Sequence, residues 1–130
     1  MTTFGIRKAL RATYDEALTR VPEALKAEGF GVLTEIDVQS TLKQKLGVEF
    51  RRYKIFGACN PPLAHQALQA ELEIGLMLPC NVVVYEADDG KAVVLAIDPT
   101  QTLAATGNPK LGELAQVVSE KLARVVEKLE

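Results

Sequence analysis

Near its start the chain alternates. Phe4, Ile6, Lys8 and Leu10 share one side of a two-residue period, with Gly5, Arg7 and Ala9 on the other, which predicts a first strand. The period then lengthens, and Tyr14, Ala17, Leu18, Val21, Leu25 and Glu28 recur at helical spacing. Thr13, with Glu16 three positions on, forms the capping box that starts this helix, and Gly29 suits the left-handed residue that ends it. Pro22 lacks an N–H and crowds the preceding turn, so a kink or a restart is expected there. Alternation returns at Val32, Thr34 and Ile36, a second strand. Val38, Leu42 and Leu46 mark one face of a short helix that Gly47 closes.

Residues 50–58 read as a third strand, carrying Tyr53, Ile55 and Phe56. Asn60 then suits an N-cap and Pro61 the first position of a helix reaching about Glu71, with Leu63, Ala64, Ala67 and Leu68 on its apolar side. Residues 74–79 are apolar but irregular, which fits a buried loop or a surface covered by another subunit. Residues 80–86 and 92–97 form a hairpin around Asp88-Asp89-Gly90, and their unbroken apolar runs predict cover on both faces. Asp98-Pro99 breaks the second of these strands. Asn108-Pro109 caps a last helix whose inward stripe is Leu111, Leu114, Val118, Leu122, Val125 and Leu129. The order is β-α-β-(short α)-β-α-β-β-α. It predicts one α+β domain over residues 1–130, with helices packed on a largely antiparallel five-stranded sheet rather than a doubly wound α/β sheet.

Composition narrows the function classes. The chain has 130 residues, enough for one core without staples, and its 48% hydrophobic and 25% charged residues are an ordinary globular balance. Fifteen basic against 17 acidic residues, net −2, give no basic track for nucleic acid. The one cluster, Lys43, Lys45, Arg51, Arg52 and Lys54, reads as a solvated surface. No apolar run approaches the roughly 20 residues of a spanning helix, so no membrane partner is expected. The first eight residues lack the order of a secretory signal, which makes the cytoplasm the default compartment. Thiols stay reduced there. Nucleotide-loop and serine-hydrolase signatures are absent, and the residues leave any cofactor unknown.

The candidate chemistry lies in two segments, Gly57-Ala58-Cys59-Asn60-Pro61-Pro62 and Leu78-Pro79-Cys80-Asn81, with the single histidine, His65, between them. If strands 50–58 and 80–86 pair antiparallel, Cys59 and Cys80 meet at one sheet end beside Asn60 and Asn81. A small-ligand pocket lined by Cys59, Asn60, His65, Cys80 and Asn81 is the leading reading. The helix dipole behind Asn60 would lower the Cys59 pKa, so a thiol redox enzyme is the alternative, with Cys59 as nucleophile and Cys80 as resolving partner. A phosphate there would need the N–H groups of Leu63 and Ala64. A metal site using Cys59, His65 and Cys80 lacks a fourth ligand, which Asp98, water or another chain would have to supply. Free cysteine also packs as a small apolar filler, and both thiols fit that role as well.

These motifs resemble a known family. Gly29-Phe30-Gly31-Val32, Glu35-Ile36-Asp37, Leu46-Gly47-Val48, Gly57-Ala58-Cys59-Asn60-Pro61, Ala64-His65-Gln66-Ala67-Leu68, Ile74-Gly75-Leu76, Leu78-Pro79-Cys80-Asn81 and Asp98-Pro99 are similar, in order, to the bacterial and archaeal domain of unknown function 302. The resemblance spans about residues 29–99. It implies a compact, self-associating α+β domain sharing Cys59, Asn60, Pro61, His65, Pro79, Cys80 and Asn81, and it implies no activity. A homodimer is accordingly expected, with residues 74–78 as candidate contact.

Overall fold

A computed structural model describes residues 5–130. Its five strands are β1 (Gly5–Thr13), β2 (Gly31–Asp37), β3 (Tyr53–Cys59), β4 (Cys80–Glu86) and β5 (Lys91–Ile97), paired antiparallel throughout in the order β1-β5-β4-β3-β2. Two long helices, α1 (Tyr14–Ala27) and α5 (Pro109–Lys128), pack on the sheet, and shorter α2 (Val38–Leu46), α3 (Pro61–Ala70) and α4 (Pro99–Thr102) join them. The fold is α+β. No helix among the described residues is long and apolar enough to cross a membrane.

The capping box forms as its residues dictate: Glu16 N–H donates to Thr13 Oγ1 and Thr13 N–H to Glu16 Oε1. At the other end Gly29 takes φ +86°, its N–H donates to the Lys26 carbonyl and that of Phe30 to the Leu25 carbonyl. These two bonds close the helix while Leu25 and Phe30 both enter the core. The helix runs through Pro22 without a restart. β1 extends to Thr13, three residues beyond the alternation that predicted it, and the expected strand residue Phe4 lies outside the described residues. Lys8 faces the helices, where its ammonium donates to the carbonyls of Glu127 and Leu129 at the end of α5.

The main core lies between one sheet face and α1 and α5. It gathers Leu10, Phe56, Val82, Val84 and Val94 from the strands with Val21, Leu25, Leu122 and Val125 from the helices. The expectation that both hairpin faces are covered holds in part. Val82 and Val84 are fully buried under the helices, whereas on the other face Val93 is buried but Val83 and Leu95 are only half-buried. β3 begins at Tyr53 rather than 50, because the Phe50 carbonyl accepts from the Gln39 side chain and pairing with β4 starts at Tyr53 opposite Tyr85. A second cluster of Ala67, Ile74, Leu103, Leu111 and Ala115 fills the end where α3 and α5 meet. It is completed by 3₁₀ segments at Leu72–Met77 and Leu103–Thr106, in a region the sequence pattern left irregular. Ile74 is buried there, so the expected subunit contact at 74–78 is turned inward at that residue, leaving Leu72 and Leu76 outward.

Candidate functional site

β3 and β4 run antiparallel with Ala58 opposite Cys80, which puts Cys59 and Cys80 at the same end of the sheet. Beyond it the chain turns into α3. Asn60 caps that helix, its Oδ1 accepting from Leu63 N–H at 3.4 Å, while its Nδ2 donates to the Glu28 carbonyl at 3.4 Å. Its amide is therefore committed on both sides. Pro61 and Pro62 have no N–H, and Ala64 N–H donates to the Asn60 carbonyl at 2.8 Å. The donors that an anion would need at this helix end are absent or taken.

Between the sheet end, α3 and α5 lies a cavity of about 320 Å³. Phe30, Leu33, Leu63, Ala64, Ala67, Leu78, Leu103, Leu114 and Val118 supply its walls, together with Cys59, Asn60 and Cys80. No charged side chain lines it. Small residues make the space. Ala64 and Ala67 lie on the α3 flank that lines the cavity, where larger residues would fill the gap. A second hollow of about 380 Å³ adjoins the first and shares Leu78, Pro79, Cys80, Pro99 and Leu103 with it. Asn81, Gln101 and Thr102 add polar groups there.

The two thiols differ in setting. Burial pushes the Cys80 thiol up to about 11, and the neighbouring Cys59 adds to the rise. At neutral pH Cys80 is a thiol and a poor attacking group. His65 sits on the exposed side of α3 and does not line the cavity. Among the described residues no three His, Cys, Asp or Glu side chains are placed to hold a metal ion. Asp98 instead caps α4. It accepts from Thr100 N–H at 3.0 Å, from Thr100 Oγ1 at 2.7 Å and from Ser119 Oγ at 2.9 Å. Burial raises its pKa, but the bonds from Thr100 and Ser119 outweigh that and hold it below the ordinary carboxylate value.

Residues 6–129 match the family described as domain of unknown function DUF302. The chain belongs to the DUF302 family. A crystal structure of an uncharacterized conserved protein DUF302 from Bacillus stearothermophilus superposes with a TM-score of 0.91 at 31% identity, covering 99% of this chain and all of that one. No curated protein matches the chain.

In this DUF302 chain the structure brings Cys59, Asn60 and Cys80 to one cavity, places Asn81 on the adjoining hollow, and leaves His65 outside both. Phe30, Leu103, Leu114 and Val118 were not legible as site residues. They come from three separate segments, and each reads locally as ordinary core. The one available signal was size, since the helix after Asn60 carries alanines at 64 and 67 on its apolar side, where a core stripe usually carries leucine.

Proposed function

We propose that the protein is a binding module for a small, largely apolar molecule held in the cavity between the sheet end, α3 and α5. The observation that carries this reading is an uncharged, aliphatic hollow of about 320 Å³ that both family motifs border. That volume lies at the lower end of ordinary small-molecule pockets, and each methylene taken out of water contributes about 0.8 kcal/mol. The thiol-enzyme reading is less favoured. A resolving cysteine attacks as thiolate, and burial that pushes the Cys80 thiol up to about 11 works against that form.

The neutral dye N-phenyl-1-naphthylamine tests the proposal. Saturable fluorescence enhancement at one site per chain is expected, together with a rise of several degrees in thermal midpoint at saturation. Ala64→Phe, which fills the cavity from α3, should abolish both. Absence of saturable binding, or binding unchanged by Ala64→Phe, would sink the reading.

We also propose that the chain self-associates through the outer edge of β2. At the opposite edge of the sheet, the N–H groups of Arg11 and Ala12 donate to the Glu130 carbonyl. β2 ends the sheet, and Leu33 and Ile36 stand 65% and 48% exposed on it. An antiparallel strand edge is self-complementary about a twofold axis, so a second copy is the occupant that fits. A cytoplasmic setting, with reduced thiols, belongs to the same proposal.

A further inference from the structure

We infer that the ligand of this site is an uncharged amphiphile, an alkyl chain ending in a hydroxyl, ester or amide, with the chain in the apolar cavity and the polar end in the adjoining hollow. The inference rests on the binding proposal above and adds the chemical class of the ligand.

Three observations carry it. First, neither hollow is lined by any Lys, Arg, His, Asp or Glu. A charged ligand entering them would lose its water without gaining a counter-charge, a large cost. Second, the backbone offers no substitute. The first turn of α3 has two prolines, and its next two N–H groups already donate to Asn60. The nearby α4 starts at Asp98, whose carboxylate repels an anion and whose oxygen is engaged by Thr100 and Ser119. Third, the polar groups that are present are neutral. The Asn81 and Gln101 amides are exposed on the second hollow, and Thr102 Oγ1, which donates to the Pro99 carbonyl at 3.4 Å, adds an acceptor. Amides both donate and accept, which suits a hydroxyl, ester or amide partner. The two hollows share Leu78, Pro79, Cys80, Pro99 and Leu103, so one molecule that bends around these residues touches both. At ~30 Å³ for each small group, the first holds roughly ten non-hydrogen atoms and the two together roughly twenty, room for a medium-length chain with its polar end and, across both hollows, for the dye.

Displacement of N-phenyl-1-naphthylamine by four ligands of one chain length provides the test: 1-octanol, octanamide, octanoate and octylammonium. Octanol and octanamide should displace the dye at least tenfold more strongly than octanoate or octylammonium at pH 7. Gln101→Lys places a cation on the second hollow and should raise octanoate affinity at least tenfold. Octanoate or octylammonium binding as well as octanol in the wild-type protein would overturn the ligand class while leaving the binding module standing. Failure of Gln101→Lys to help octanoate would overturn the placement of the polar end. Failure of all four ligands and of the dye would overturn the binding proposal itself, and the inference with it.

Discussion

Gly57 shows how tightly single residues set this sheet end. It faces away from the main core, and a Cβ there would collide with Thr34 Oγ1 and lie 2.8 Å from Pro79 Cγ. The Thr34 hydroxyl can rotate away, but the proline ring is fixed by its own backbone. Gly57→Ala should therefore lower stability by about 1–3 kcal/mol, the usual cost of overpacking. Gly112, inside α5 with nothing within 4 Å of its added Cβ, is the counterpart. Gly112→Ala should raise stability by about 0.5–1 kcal/mol, because only backbone freedom changes. Urea titrations of the two variants check both signs. Cys80 gives a pH prediction at the same scale. Its folded pKa lies above the unfolded value of about 8.5, so its contribution to stability is fully present below that value. The contribution is lost as pH rises toward about 11. Iodoacetamide should label Cys80 slowly at pH 7, with a rate that climbs through pH 9 and beyond. Rapid labelling of Cys80 at neutral pH would revive the thiol-enzyme reading.

Among the elements, the joint of α1, β3 and α3 matters most. The C-terminal end of α1 is tied to α5 by Glu28, which binds Arg124 at 2.9 Å and Lys128 at 3.1 Å. The carbonyl of the same residue accepts from the Asn60 side chain. Asn60 thus caps α3 and anchors it to α1 with one amide. Gly29 is required beside it for two reasons, its positive φ and the 3.0 Å approach of Asn60 Nδ2 to where a Cβ would stand. Asn60→Ala loses the cap and leaves the Glu28 carbonyl without that donor. Stability should fall by about 1–2 kcal/mol in thermal or urea unfolding. Dye affinity should fall as well if the position of α3 sets the cavity. Asn60→Ser keeps a capping oxygen and loses only the bond to Glu28, so it should cost less.

The whole molecule is a two-layer unit with helices on one sheet face and an open edge at β2. That edge carries Glu35 and Asp37, and its register shifts between Val32 and Thr34, both features that discourage indiscriminate pairing. A symmetric pairing with one partner remains compatible with them. Light scattering after size exclusion should give twice the chain mass of 14.1 kDa. The double variant Leu33→Lys with Ile36→Lys should return 14.1 kDa with an unchanged circular dichroism spectrum. A wild-type monomer at high concentration, or a dimer that ignores the double variant, would dismiss the edge as an interface.

By itself the sequence determined the elements and their caps. Thr13 with Glu16, Gly29, Asn60 with Pro61, Asp89-Gly90 and Asn108-Pro109 act through bonds within a few residues of themselves, so their meaning is local and legible. It also put Cys59 and Cys80 at strand ends, and the tertiary structure joined them by pairing those strands antiparallel, the end of one beside the start of the other. Only the tertiary structure decided what surrounds them. The cavity is a volume left between α3, α5 and the sheet, set by Ala64 and Ala67 on one side and by Phe30, Leu103 and Val118 from distant segments on the other. Free volume is a property of how elements pack, and no local pattern encodes it. The same holds for His65, whose exposure depends on which way α3 rolls onto α5, and for Cys80, whose raised pKa comes from burial that its neighbours in sequence do not supply.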